Sequence, residues 1–173
     1  MPIHYITGGC RSGKSRFAQE LAESLSSQRV FIATSPHTDP EMSDRIQRHQ
    51  KDRENRNWKT IEEEYLINNT ILNAKPKQVI LIDCLTLWVN NLMYHKKVFG
   101  EDHVTQKTLE LIESCKNYNG QVVVVSNEVG LGIVPENEYA RTYRDYLGRC
   151  NMTVASHADH VTMMISGIPL TLK

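Results

Sequence analysis

The sequence predicts a single α/β domain with a mainly parallel sheet and an antiparallel hairpin at its C-terminal edge. Its 173 residues are the length of one domain that can bury a substantial core. Runs of β-prone residues alternate with stretches that carry apolar residues at helical spacing, an order typical of parallel α/β sheets. Residues 79–82 and 122–125 are continuously apolar, as expected of strands covered on both faces. A glycine-rich octapeptide stands between the first predicted strand and the first predicted helix.

The other elements follow from the same patterns. We expect strands at residues 4–7, 30–34, 79–83, 122–126, 161–166 and 170–172. Helices are predicted near residues 14–27, 41–52, 60–73, 85–97, 104–117 and 136–158. A turn at residues 167–169 would join the last two strands into the edge hairpin.

Charge and composition argue against several classes of function. The chain has 20 basic and 20 acidic residues and a formal net charge of zero, so we expect no nucleic-acid-binding surface and no polybasic membrane patch. Its apolar runs are too short to span a membrane, and its first residues lack the pattern of a signal peptide. The four cysteines are widely spaced and indicate neither a zinc site nor a disulfide framework. A reducing, cytoplasmic compartment is therefore expected.

The octapeptide at residues 8–15 reads Gly-Gly-Cys-Arg-Ser-Gly-Lys-Ser and fits the phosphate-loop pattern G-x-x-x-x-G-K-[ST]. Backbone N–H groups in such a loop, together with the helix N-terminus behind it, attract phosphate groups. We expect Lys14 to act catalytically by reaching the β- and γ-phosphates, and Ser15 to be a ligand of Mg²⁺. The whole loop is predicted to bind nucleotide, through Gly8, Gly9, Cys10, Arg11, Ser12, Gly13, Lys14 and Ser15.

Asp83 is the predicted second ligand of Mg²⁺. It ends an apolar strand, which would bring its carboxylate to the carboxyl edge of the sheet beside the phosphate loop. A phosphate loop needs a carboxylate of this kind to hold its metal. The alternative is an ordinary aspartate that caps the helix beginning at Leu85. The phosphate loop favours the metal role.

Glu128 follows the other buried strand and should emerge at the same edge of the sheet. Two interpretations stay equally open for it. Its carboxylate could position a water, a metal or a substrate hydroxyl, or it could make a structural hydrogen bond within its own loop.

His49 has the most informative surroundings of the seven histidines. It lies among Arg45, Arg48, Lys51 and Arg53, and Arg45 would share its helix face. Neighbouring cations disfavour protonation of the imidazole and so keep it nucleophilic. The same cations could hold the phosphates of a nucleotide. From spacing alone, however, a solvated basic helix face is the favoured interpretation.

Together these segments resemble a family of bifunctional cobalamin-biosynthesis enzymes, adenosylcobinamide kinase / adenosylcobinamide-phosphate guanylyltransferase. The resemblance runs through nearly the whole chain. Its most specific parts are the phosphate loop, the segment around His49, and Ser126-Asn127-Glu128-Val129-Gly130 followed by Gly132-Ile133-Val134-Pro135. Further matching segments lie at residues 32–35, 58–62, 83–86, 91–92 and 140–151.

The resemblance implies two reactions. The first phosphorylates the aminopropanol hydroxyl of adenosylcobinamide, with GTP or ATP as donor. The second transfers GMP from GTP to that phosphate through a covalent GMP–histidine intermediate on His49, and yields adenosylcobinamide-GDP and pyrophosphate. The resemblance also implies a phosphate-loop domain with a RecA-like core, and a homo-oligomer that is often a trimer.

The nucleotide site extends beyond the loop if the resemblance holds. Three charged residues are expected to orient the nucleotide near His49, namely Arg45, Arg53 and Glu62. The predicted nucleotide-binding set also includes Thr34, Ser35, Gln50 and Asp83. Arg141 and Arg144 keep two interpretations, contact with phosphates or the corrinoid, or solvation of a long helix.

Two rival functions remain at this point. The chain could be a plain phosphate-loop kinase of small molecules, in which Lys14, Ser15 and Asp83 act and His49 is dispensable. It could also be a nucleotide-controlled interaction module without a small-molecule acceptor, although its sequence has no charge block and no heptad pattern.

Overall fold

The computed structural model describes residues 2–36, 51, 53–95 and 100–173. Within these residues seven strands form one sheet in the order β3-β2-β4-β5-β1-β6-β7. Neighbouring strands in this part of the chain are parallel except for β6 and β7, which are antiparallel. The α/β class and the C-terminal edge hairpin are thus confirmed. The strands are β1 (Ile3–Gly8), β2 (Arg29–Ala33), β3 (Trp58–Glu62), β4 (Val79–Asp83), β5 (Gln121–Val125), β6 (His160–Ile165) and β7 (Ile168–Thr171).

Helices cover both faces of the sheet. One face packs against α1, in a cluster that includes Ala18, Phe31, Leu81 and Met164. The opposite face forms the larger core, in which Trp88 and Leu147 are almost completely buried. This two-sided cover explains why β4 and β5 are continuously apolar. The described helices are α1 (Lys14–Leu25), α2 (Ile67–Leu72), α3 (Leu85–His95), α4 (Glu101–Asn117) and α5 (Glu138–His157).

The helix predicted at residues 60–73 is wrong over its first part. The chain forms the edge strand β3 there, parallel to β2, and the helix is confined to α2. Thr60 and Ile61 are β-branched and favour a strand, and pairing with β2 outweighs the apparent helical spacing. The Glu63 carboxylate then accepts hydrogen bonds from the N–H groups of Tyr65 and Leu66, at 3.0 and 2.9 Å, and forms the turn before α2.

The turn of the C-terminal hairpin is tighter than predicted. It consists of Ser166 and Gly167, whose φ angles are 51° and 86°. Positive φ at both positions is typical of the two-residue turns that match the twist of antiparallel strands. Pro169 therefore lies inside β7, opposite Met164, and not in the turn. An edge strand tolerates proline because only one side of the strand is paired.

The order of the strands determines which loops meet at the functional edge. The carboxyl ends of the parallel strands β1, β5, β4 and β2 lie along the same side of the sheet. Asp83 ends β4 as predicted, but β5 lies between β4 and β1, so Asp83 is not on the strand next to the phosphate loop. The predicted helix at residues 41–52 lies, but for Lys51, outside the described residues. No helix in the described part of the chain is long and apolar enough to cross a membrane.

Candidate active site

The octapeptide forms a loop between β1 and α1. Gly13 precedes the helix with a φ of 91°, a left-handed conformation that favours glycine. The Lys14 side chain is only 7% exposed, and its ammonium donates to the Gly9 carbonyl oxygen at 2.6 Å. The Ser12 N–H also donates to the Gly9 carbonyl, at 3.3 Å. This geometry, with a lysine held over a glycine-rich turn at a helix N-terminus, is suited to binding phosphate.

Neighbouring elements fix the loop on two sides. The Glu128 N–H donates to the Gly8 carbonyl oxygen at 3.0 Å, and the Gly167 N–H donates to the Ser12 carbonyl at 3.0 Å. Gly8 has a φ of 144°, and a Cβ at this position would run into the Met164 carbonyl oxygen. This role of Gly167 is not among those predicted from the sequence. The available signal was a Ser-Gly pair between two β-prone runs.

Ser15 and Asp83 are the candidate ligands for Mg²⁺. Ser15 lies half-buried in the first turn of α1, and Asp83 is half-buried at the end of β4, against which α1 packs. A hydroxyl and one carboxylate fit Mg²⁺, which takes its other ligands from water and from substrate phosphates. Among the described residues no group of three or more histidine, cysteine or acidic side chains could form a metal site of protein ligands alone. The donor set therefore suits a metal that arrives with a nucleotide.

The Cys84 thiol adjoins Asp83 but is not a reactive group. Burial, and after it the negative charge of Asp83, raise the pKa of this thiol to about 11. The thiol is therefore protonated at neutral pH and is a poor nucleophile.

Thr34 is buried, with 0% of its surface exposed. Its hydroxyl donates to the Cys84 carbonyl oxygen at 2.7 Å and accepts from the Cys84 N–H at 2.8 Å. Asn91 adds a hydrogen bond from its side-chain amide to the Thr34 carbonyl, at 2.8 Å. The structure thus gives the Thr34 hydroxyl a structural role between β2 and the end of β4, and its predicted contact with nucleotide stays a prediction. Ser35, which follows it, is half-buried.

Arg53 and Glu62 occupy different environments. The Arg53 guanidinium lies 3.6 Å from the centre of the Phe31 ring, and the residue is 5% exposed. Glu62 is exposed at the end of β3, opposite Ala33, which in turn pairs with Asp83. Their roles in orienting nucleotide stay predictions. His49, Arg45 and Gln50 lie outside the described residues.

The segment after β5 is anchored by side chains from two helices. The Asn127 N–H donates to the Thr86 hydroxyl at 2.8 Å. Asn151 of α5 accepts from the Ser126 hydroxyl at 2.7 Å and donates to the Asn127 carbonyl at 2.9 Å. One oxygen of the Glu128 carboxylate accepts from the Gly130 N–H at 2.7 Å, which supports the structural interpretation for that oxygen.

Arg141 and Arg144 hold the loop between β5 and α5. Arg144 donates to the Gly130 carbonyl oxygen at 2.6 Å, and Arg141 donates to the Pro135 carbonyl at 3.1 Å and also to the Glu136 carbonyl. These contacts are all with backbone carbonyls of the same chain, and both interpretations of the two arginines stay open.

Comparison with known proteins identifies the family. The family model described as "Cobinamide kinase / cobinamide phosphate guanyltransferase" matches residues 4–172. The chain belongs to this family. The resemblance read from its motifs is thereby confirmed, and the phosphate loop described above is the loop of a cobinamide kinase / cobinamide phosphate guanyltransferase family member.

Three relatives are similar to this chain along almost its full length. The chain is 39% identical to the "Bifunctional adenosylcobalamin biosynthesis protein CobU" of Salmonella typhimurium, an alignment that covers 97% of this chain and 98% of the relative. It is 37% identical to the protein of the same name from Escherichia coli, with the same coverage. It is also 37% identical to the "Bifunctional adenosylcobalamin biosynthesis protein CobP" of Pseudomonas aeruginosa, over 97% and 95% of the two chains.

Among solved structures, a crystal structure of the RadB recombinase matches with a TM-score of 0.51. It covers 94% of this chain and 73% of the recombinase, at 10% sequence identity. At that identity the match bears on the fold alone, and it confirms the RecA-like core.

Proposed function

We propose that this protein phosphorylates adenosylcobinamide with GTP or ATP, and then transfers GMP from GTP to the new phosphate. The observation that carries the proposal is a fully formed phosphate loop in a chain that the family model matches from residue 4 to residue 172. The products of the second step are adenosylcobinamide-GDP and pyrophosphate.

The phosphate loop would serve the first step by orienting the triphosphate. Backbone N–H groups at the start of α1 and the ammonium of Lys14 would bind the β- and γ-phosphates. Ser15 and Asp83 would hold Mg²⁺, which supplies positive charge to the phosphate oxygens when it is bound. The acceptor hydroxyl would then attack the γ-phosphorus, and a nucleoside diphosphate would leave.

His49 would carry the second step. One imidazole nitrogen would attack the α-phosphorus of GTP, the bond to the β-phosphate oxygen would break, and pyrophosphate would leave. A phosphate oxygen of adenosylcobinamide-phosphate would next attack the same phosphorus and release the imidazole. Lys14 would stabilise the negative charge on the departing pyrophosphate. Arg45, Gln50, Arg53 and Glu62 would orient the nucleotide during these steps.

We also propose an oligomeric state and a cellular compartment for the protein. The family resemblance supports a homo-oligomer, and we propose a trimer. The four cysteines are free, with three of them at least partly buried, which suits a reducing compartment, and we propose the cytoplasm.

The proposed function is tested by following two labels. GTP labelled at the γ-phosphate should label adenosylcobinamide, and GTP labelled at the α-phosphate should label the product of the second step. Lys14→Ala should lower kcat/KM for both transfers by about a hundredfold or more, because the ammonium acts on the charged phosphates in each. Lys116→Ala, a change of an exposed lysine on α4, is the matched control. Wild-type protein that transfers neither label would contradict the proposal.

A further inference from the structure

The loop between β5 and α5 exposes an apolar surface formed by Leu131, Ile133 and Val134, which we name the ledge. These side chains are 80%, 96% and 60% exposed. Ile133 and Val134 belong to the Gly132-Ile133-Val134-Pro135 motif, which neither proposed chemical step uses, and Leu131 directly precedes it. Adjacent apolar side chains that project into water on a soluble enzyme often mark a binding surface.

Two arginines of α5 bind the backbone on either side of the ledge. Arg144 binds the Gly130 carbonyl on one side of it, and Arg141 binds the Pro135 and Glu136 carbonyls on the other. These charge-assisted hydrogen bonds fix the backbone at both ends of the segment that carries the ledge.

The ledge adjoins the phosphate loop. The backbone N–H of Glu128 donates to the Gly8 carbonyl oxygen at 3.0 Å, and the Glu128 carboxylate accepts from the Gly130 N–H. Leu131 is three residues beyond Glu128, so their Cα atoms are no more than about 11 Å apart. A molecule that rests on the ledge can therefore reach the phosphates bound in the loop.

A groove of about 740 Å³ continues from the ledge along α5. Its walls combine apolar and hydrogen-bonding groups, among them Gly130, Val134, Arg141, Arg144, Asp145 and Met152. Guanidinium groups can donate to amide oxygens, and carboxylates can accept from amide N–H groups.

We propose that the ledge and this groove bind the corrinoid acceptor of the reaction. A corrinoid is a large macrocycle that carries methyl groups on its faces and amide side chains around its edge. The ledge matches the apolar face, and the charged walls of the groove match the amides. This proposal rests on the proposed function, because the identity of the acceptor as a corrinoid comes from that function.

A second copy of the chain is the competing occupant. The hairpin of β6 and β7 offers another exposed apolar surface, with Ile165, Ile168 and Leu170 between 47% and 69% exposed. That surface is at the edge of the sheet, where an exposed strand is open to contact with a second copy.

The test is Ile133→Asn, with Leu72→Asn as matched control. Both change an exposed apolar side chain, and Leu72 lies on α2, away from the ledge. We expect Ile133→Asn to raise KM for adenosylcobinamide about tenfold or more, the loss expected for one buried isoleucine contact. KM for GTP and the mass of the oligomer in solution should not change. Equilibrium dialysis of adenosylcobinamide, followed by its visible absorbance, should show the same weakening without turnover.

Three results would overturn this proposal. Unchanged dialysis and unchanged KM for adenosylcobinamide in an active Ile133→Asn protein would remove the ledge from acceptor binding. A loss of oligomer mass in this variant would make the ledge a subunit contact. Wild-type protein that neither binds nor phosphorylates adenosylcobinamide would contradict the proposed function itself, and the acceptor site with it.

Discussion

The Thr34 hydroxyl makes two hydrogen bonds with the backbone of Cys84, one as donor and one as acceptor. These bonds connect the end of β2 to the segment that follows Asp83. The position of the candidate metal ligand thus depends on a residue with no exposed surface. A buried hydroxyl that satisfies two backbone groups stabilises the fold mainly because its loss would leave those groups without partners.

Thr34→Val keeps the shape of the side chain and removes both hydrogen bonds. We expect the free energy of unfolding in urea to fall by about 1–3 kcal/mol, because the Cys84 N–H and carbonyl lose a buried partner. KM for GTP should stay within about twofold, because both hydrogen bonds of the hydroxyl are made with the backbone of Cys84.

Thr60→Val is the control, since Thr60 is exposed on the edge strand β3 and its substitution should change stability by no more than about 0.5 kcal/mol. A large rise in KM for GTP with unchanged stability in Thr34→Val would instead show that Thr34 contacts the nucleotide directly.

The C-terminal hairpin of β6 and β7 packs directly against the phosphate loop. Gly8 lies against the Met164 carbonyl of β6, and the Gly167 N–H binds the Ser12 carbonyl. The loop is therefore supported by strands that come last in the sequence. Glycine is required at Gly8 both by its φ of 144° and by the close approach of β6.

Gly8→Ala should separate the loop from β6. We expect a loss of about 2 kcal/mol or more in the free energy of unfolding, because the new methyl group meets a backbone oxygen that cannot move aside easily. Gly9→Ala is the matched control, because a Cβ there meets no atom within 4 Å and should have only a small effect on stability. Equal effects of the two substitutions on thermal and urea unfolding would contradict this view of the hairpin.

The sequence predicted those elements whose signals lie within a few neighbouring residues. The phosphate loop, α1 and the apolar strands β4 and β5 could be read from the sequence because their signals lie within a few residues. The strand β3 could not, because it forms by pairing with β2, a contact between distant segments. The supports of the candidate site were missed for the same reason. Asn151, Arg144 and Gly167 act through hydrogen bonds to residues far away in the sequence, and no residue pattern marks such partners.

At the scale of the whole molecule, one domain has to perform two different phosphorus reactions. The described residues form one phosphate loop, fixed by β6, by the loop after β5 and by its own lysine. The kinase step attacks the γ-phosphorus, whereas guanylyl transfer attacks the α-phosphorus. A single loop can serve both if a separate nucleophile performs the second attack, which is the role proposed for His49.

We predict that the two reactions can be separated. His49→Ala should abolish guanylyl transfer and retain transfer of the γ-phosphate to adenosylcobinamide, because the phosphate loop is unchanged. His157→Ala, a change at the end of α5, should retain both reactions.

The most direct measurement uses GTP labelled at the α-phosphate, with Mg²⁺ and purified protein and without any corrinoid. The protein is denatured after incubation, and bound label is tested for survival in alkali and loss in acid, the behaviour of a phosphorus–nitrogen bond to histidine. We predict stable label on wild-type protein and on His157→Ala, and none on His49→Ala. Label that persists on His49→Ala, or full guanylyl transfer by that variant, would contradict the covalent intermediate.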